Sequence, residues 1–236
     1  MAQGGVEADG LSTAALRRMM VDGQIRTFDV TDQRVLETFY RTPRELSLPA
    51  GLRGLAYSDA SLVVPFGAAA GGRAMLQPMF LAKLMQGATL QATHRVLVVA
   101  GASGYTAAVV APLVASVVSL ETDAALTRSA ADYLATLGLG NATAVTGPLE
   151  AGHPEGAPYD CIVVAGGVEV GLERLFAQLA PGGCLVTVHG KATEPERRAG
   201  KAVRYDRVAD DVSPRNLFDA TVPVLDAFRE PPGFRF

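Results

Sequence analysis

Short apolar runs alternate along this chain with stretches of helical periodicity, and that alternation predicts the architecture. Residues 95–100 (RVLVVA) form a continuous Val-rich run, which suits a strand covered on both faces, as in a parallel sheet. Comparable runs recur at 117–120, 142–145, 159–165 and 184–190. Between them lie helix-compatible stretches at 78–90, 105–115, 123–137 and 169–179. The punctuation agrees: Pro78 suits a first helical turn, Asp123 an N-cap, Gly138 a helix end, and Gly166-Gly167 the end of a strand. Upstream, 11–25 reads as an amphipathic helix with Leu16, Met19, Met20 and Gly23 on one side. Thr31 or Asp32 caps a second helix that runs to Arg41 and stops at Thr42-Pro43. The stripe Phe80, Leu81, Leu84 and Met85 reads as core. The expected fold is α/β, a doubly wound and mainly parallel sheet with helices on both faces and a small N-terminal helical extension.

Length and composition narrow the class. The 236 residues, 49% hydrophobic and 19% charged, describe a globular chain long enough for one large α/β domain with an extension. A formal charge of −3 without a long basic run argues against nucleic acid as a partner. No 18-residue apolar stretch free of breakers suggests a membrane span, and the cytoplasm is the default compartment. Cys161 and Cys184 each fall in an expected buried strand and read as small core residues. His94, His153 and His189 have no ligand spacing, so no metal site is expected. Residues 1–10 are expected to fray, and 229–236 have no clear element, Phe234 and Phe236 being expected to pack on the domain.

The chemistry concentrates at 95–122. A buried strand is followed by the small residues Gly101, Ala102, Ser103 and Gly104, a helix, a second strand and the acid Glu121, about 20 residues after the turn. Small residues let the backbone approach a ligand, free amides at a helix start meet its polar end, and a carboxylate ending the next strand can accept ribose hydroxyls. The plainer alternative is a strand-turn-helix unit whose small residues serve packing alone.

VLVVAGASGYTAAV resembles the S-adenosylmethionine loop of protein-L-isoaspartate O-methyltransferases, V-L-E-I-G-T-G-S-G-Y-x-A-A. Ser103, Gly104, Tyr105, Ala107 and Ala108 match, and Glu121 falls on the family's ribose-binding acid. The resemblance runs from about residue 20 to 190 and includes the N-terminal signature Pro43-Arg44-Glu45, the pair Tyr57 and Asp59, the P-[YF]-D-A-I pattern at Pro158, and LAPGGCLVTV. It implies a seven-stranded Rossmann-like methyltransferase sheet closed by a C-terminal β-hairpin. The division that follows is an N-terminal extension with acceptor loop over 1–92 and a methyltransferase-fold domain over 93–236. By resemblance, Gly101, Ser103, Gly104, Tyr105 and Glu121 bind S-adenosylmethionine, with Gly147 and Leu149 bordering adenine. The segment PFGAAAGGRAMLQP resembles the acceptor loop G-Q-T-I-S-Q-P and places Gly72, Leu76 and Gln77 at the substrate, a damaged protein or peptide carrying an L-isoaspartyl carboxylate. The same segment also reads as a Gly-rich connection with no site.

Six positions depart from the family pattern. Val98 replaces an acid in the first strand, Ala100 and Ala102 replace loop glycines, Pro148 replaces the acid of G-D-G, and Ala74 and Leu76 replace acceptor-loop Thr and Ser. An added methyl can clash with a ligand or demand an unfavourable φ, and a leucine cannot donate to a carboxylate. The resemblance therefore implies carboxyl methylation from S-adenosylmethionine, with cofactor binding that is weak or lost. The alternatives are a catalytically inactive member that binds a protein partner and a methyltransferase with a different acceptor. No catalytic residue is assigned.

Overall fold

A computed structural model describes residues 11–65, 73–190 and 200–231. The expectations for residues 1–10 and for Phe234 and Phe236 lie outside the described residues.

Helix α1 (Thr13–Met20) begins where the Ser12 hydroxyl accepts from the Ala15 amide at 3.2 Å. The expected single helix over 11–25 is interrupted: a π turn covers Val21–Ile25 and a 3-10 turn Arg26–Phe28. The widened turn brings Met20, Val21 and Ile25 to the interior, whereas Met19, expected on the apolar side, is 58% exposed. Helix α2 (Gln33–Arg41) is capped by Asp32, whose Oδ1 accepts from Arg34 N at 2.9 Å, and it ends at an extended Thr42 before Pro43. Strands β1 (Leu62–Val64) and β2 (Arg73–Met75) pair antiparallel, with Val64 opposite Arg73. Helix α3 (Pro78–Ala88) buries Phe80, Leu81, Leu84 and Met85, the stripe read from the sequence, and ends at Thr89 in the left-handed region.

Seven strands follow in one sheet: β3 (Arg95–Val99), β4 (Ser116–Glu121), β5 (Ala142–Thr146), β6 (Tyr159–Val168), β7 (Leu179–His189), β8 (Gly200–Val208) and β9 (Asp211–Ala220). Their order is β5-β4-β3-β6-β7-β8-β9. The pairs from β5 through β7 are parallel, while β7–β8 and β8–β9 are antiparallel, so the expected closing hairpin is present. The crossovers carry α4 (Tyr105–Val110), α5 (Ala124–Thr136) and the short α6 (Glu173–Phe176). Alternate residues of the central strands feed separate cores. Val96, Val98, Val163 and Val186 join the α1–α3 side, and Leu97, Val99, Ile162 and Leu185 join Leu175 and Phe228 on the other. Each such residue is essentially sealed from solvent, a burial worth about 1.5–3 kcal/mol per side chain.

The expectations around 166–190 need correction. Gly166 and Gly167 do not end β6, and 169–172 is not helical. Gly167 donates to Pro223 O at 2.9 Å and accepts from Leu225 N at 2.9 Å, so the 221–225 segment adds a short backbone pairing there. A side chain at 166 would meet Leu225 Cγ at 2.6 Å, which is why glycine permits this contact. Cys161 and Cys184 are register partners on β6 and β7, both buried free thiols. Among the described residues, no helix is long and apolar enough to cross a membrane, and no group of three or more His, Cys, Asp and Glu could hold a metal ion.

Candidate active site

The sheet order reverses between β3 and β6, and the loop after β3 opens at that switch point, where open α/β sheets bind ligands. Ala100 and Ala102 have φ of 61° and 54°, and Gly104 has 95°. The chain thus takes the left-handed turns that glycine normally supplies, at a cost of about 1–2 kcal/mol per alanine. The two alanines preserve the glycine-like path rather than reroute it. Gly101 has no such φ but needs its missing side chain: a Cβ there would lie 2.9 Å from Val98 Cγ1 and 3.1 Å from Ser119 Oγ. Gly104 packs against Ala130, whose Cα would stand 3.0 Å from an added Cβ, so α5 props the loop from below.

Glu121 ends β4 beside this loop and is 1% exposed. Its Oε1 accepts from Ala102 N at 2.8 Å, and its Oε2 accepts from Thr122 N at 3.3 Å. The Arg73 guanidinium reaches the same Oε2, from Nε at 3.2 Å and from Nη2 at 3.1 Å, and also donates to Thr122 Oγ1 at 3.3 Å. Burial pushes the Glu121 carboxyl above its ordinary value, and the Arg73 charge and the two amides only partly oppose it. Nothing but function or folding history requires an acid in so dry a position, which marks Glu121 as a site candidate.

The residues read from the sequence distribute unevenly around this point. Gly101, Ser103 and Gly104 form the turn itself, and Ser103 Oγ contacts Met75 Sδ at 3.7 Å. The Tyr105 ring is fully buried, 6.1 Å from Phe39 and under the Arg44 guanidinium at 4.5 Å, so its side chain belongs to the core. Gly147 donates to Glu121 O at 2.9 Å, tying β5's end to β4, and Leu149 is buried among Leu97, Val99 and Leu120. Pro148 and Leu149 lead into a 3-10 turn at Leu149–Ala151. Gly72 lies outside the described residues.

Leu76 and Gln77 follow β2 directly. Arg44, 1% exposed, donates from Nη2 to Leu76 O at 2.9 Å, so the Pro43-Arg44-Glu45 signature is tied to the segment that follows β2. Gln77 Nε2 reaches Asp59 O at 3.5 Å. On the open side of Leu76 is a cavity of about 290 Å³. It is lined by Arg73, Ala74 and Leu76, by Ala165 and Gly166 of β6, and by Leu225 and Asp226.

Several of these residues escape a reading of the sequence alone. Arg73 stands one place after Gly72, where the acceptor pattern has Gln, and that substitution was its only signal. Ser119 Oγ is buried without a hydrogen-bond partner beside Gly101, in a strand whose pattern reads as core. The wall contributed by 223–226 carries no motif and reaches the site only because Gly166 and Gly167 let it approach.

The turn keeps glycine geometry and small residues, and its Ala102 amide holds the dry Glu121 carboxylate, the donor and acceptor types that a nucleoside needs, with residues 100–104 themselves buried. Comparisons with known proteins agree with this geometry. The profile of the family Protein-L-isoaspartate(D-aspartate) O-methyltransferase matches residues 16–215. Protein-L-isoaspartate O-methyltransferase 1 of Rhodopseudomonas palustris (strain HaA2) is 39% identical over 222 residues, covering 93% of this chain and 87% of that protein. Protein-L-isoaspartate O-methyltransferase of Roseiflexus castenholzii (strain DSM 13941 / HLO8) is also 39% identical, over 198 residues, covering 82% of this chain and 88% of that protein. Among solved structures, a protein-L-isoaspartate O-methyltransferase superposes with a TM-score of 0.77 at 25% identity, covering 90% of this chain and 67% of that one. A Plasmodium falciparum protein assigned as a beta-aspartate methyltransferase, crystallised with S-adenosyl-L-homocysteine, shares the fold with a TM-score of 0.71 at 16% identity, covering 89% of this chain and 98% of its own.

Proposed function

The chain belongs to the protein-L-isoaspartate(D-aspartate) O-methyltransferase family, and from that premise we propose that it methylates the free carboxylate of L-isoaspartyl residues in damaged proteins, using S-adenosylmethionine. The observation that carries this reading is Glu121, a buried acid ending β4 and held by a loop amide at the sheet's switch point.

The cofactor supplies a methyl group on a sulfonium, already a good leaving group, so a carboxylate oxygen forms the new C–O bond as the C–S bond's electron pair passes to sulfur. What the protein adds is position and a dry, charged surround. Glu121 accepts the ribose hydroxyls, and the turn at Gly101, Ser103 and Gly104 lines the methionine side. Gly147 and Leu149 border the base. Tyr105 serves through its backbone at the start of α4, its ring being committed to Arg44 and Phe39. Leu76 faces the acceptor at the cavity, where it excludes water and donates nothing, and Gln77 follows it in the same segment with its side chain turned to Asp59 O. The nucleoside ligand is held by this chain's own groups, without a metal in the scheme. Damaged proteins or peptides are the partners, and the cytoplasm is the compartment this reading assumes.

Calorimetric titration with S-adenosylhomocysteine, followed by a methyl-transfer assay on an isoaspartyl peptide, tests the proposal. Binding with transfer supports it. Binding without transfer to isoaspartate moves the acceptor elsewhere, and no heat at millimolar ligand removes the enzymatic reading. Nothing in the comparisons favours the inactive-binder alternative.

A further inference from the structure

Arg73 sits between two places that a methyl-transfer site needs. On one side its guanidinium occupies Glu121 Oε2, at 3.1 Å from Nη2 and 3.2 Å from Nε. On the other it lines the 290 Å³ cavity beside Ala74 and Leu76. Its side chain is 16% exposed, so the ion pair is largely shielded from water.

An incoming carboxylate has few partners there. Ala74 and Leu76 carry no hydroxyl, and among the described lining residues Arg73 is the only cation. Asp226, the other charged lining residue, repels an anion and is itself paired with Arg229 at 3.3 Å. A carboxylate taken out of water without a counter-charge is strongly disfavoured, whereas a guanidinium fork satisfies it bidentately. Glu121 meanwhile cannot offer Oε2 to a ribose while Arg73 and the Thr122 amide hold it, and Oε1 already accepts from Ala102 N, so a pair of hydroxyls competes with the guanidinium for this acid.

Building on the functional reading above, we propose that Arg73 is the anchor for the acceptor carboxylate, parked on Glu121 until the ribose hydroxyls claim that acid. The two ligands are then coupled: the nucleoside releases the guanidinium, and the released guanidinium completes the acceptor pocket. Arg73 thereby takes over the polar contact that the residues at 74 and 76 cannot make. Binding is ordered, nucleoside first, and the acceptor gains affinity when S-adenosylhomocysteine is present.

The experiment compares wild type with Arg73→Ala, Arg73→Gln and Arg73→Lys, reading S-adenosylhomocysteine affinity by calorimetry and KM and kcat on an isoaspartyl peptide. The expected result for Arg73→Ala and Arg73→Gln is a KM raised by roughly tenfold or more, the scale of one charge-assisted pair. The same variants should bind S-adenosylhomocysteine as tightly as wild type or tighter, because the acid is no longer occupied. Arg73→Lys should recover part of the KM loss, and Arg73→Gln keeps the test available should the alanine variant fold poorly. An unchanged KM in the glutamine variant overturns the anchor, leaving wild-type turnover and the methyltransferase reading intact. Weaker nucleoside binding at unchanged KM overturns it too, by assigning Arg73 to the cofactor. A wild-type protein that neither binds S-adenosylhomocysteine nor methylates the peptide removes both this proposal and the functional reading, and so separates the two failures.

Discussion

Ala100 and Ala102 hold left-handed backbone that glycine would occupy without strain. Replacing either with glycine relieves about 1–2 kcal/mol of native strain but adds unfolded-state entropy, so a net gain of about 0.5–1 kcal/mol is expected in denaturant melts. Glu121 makes a sharper case. Its ionised form is disfavoured by burial, so its contribution to stability is complete below the ordinary glutamate range and declines as pH rises through the raised native value. The stability difference between wild type and Glu121→Gln should therefore shift in favour of wild type as pH falls from 7 toward 5, measurable by urea unfolding at each pH. Glu121→Ala should weaken S-adenosylhomocysteine by roughly tenfold or more, the scale of lost hydrogen bonds to a charged group. Unchanged affinity would remove the ribose assignment.

Elements bring these residues together. The β1–β2 pairing sets Arg73 opposite Val64 and delivers its guanidinium to the end of β4. Behind β2, Arg44 is almost fully sealed, spans from the N-terminal signature to Leu76 O, and covers the Tyr105 ring at the start of α4. Burial pulls its pKa below the ordinary arginine value, yet the residue stays charged and depends on those few contacts. Arg44→Ala should cost about 2–5 kcal/mol through a cavity and an unpaired Leu76 carbonyl, read as a lowered denaturation midpoint. Because the lost support also frees the acceptor segment, peptide KM should rise while nucleoside affinity changes less.

At the scale of the molecule, a ligand at the switch point touches the ends of β3, β4 and β6 and the loops that follow them, so its binding energy becomes folding stability. At a hundred times Kd, S-adenosylhomocysteine would add about 2.7 kcal/mol. For a chain of this size that corresponds to a melting shift of roughly 5–10 °C, checked by scanning calorimetry with and without ligand. The same architecture explains the closing hairpin: β8 and β9 cover the β7 side of the sheet, and the segment after them returns to Gly167 and walls the cavity.

Much of this was set locally and could be read as such. The Val-rich run at 95–100 suits a strand buried on both faces, Asp123 and Asp32 cap because their side chains reach amides two or three residues on, and an acid about 20 residues beyond a small-residue turn falls on the end of the next strand. The tertiary structure decided the rest, since it depends on contacts between distant segments. Gly166 and Gly167 read as a strand end, and pairing with Val188 and His189 of β7 on one side and the return of 223–225 on the other carry the strand on to Val168. Met19, read onto the apolar side, is exposed, while Val21 and Ile25 of the widened turn that follows α1 are buried. Arg73 looks like a lone charge in a Gly-rich segment, and only a fold that brings residue 73 to residue 121 gives it a partner, since no local pattern encodes a contact across so much chain.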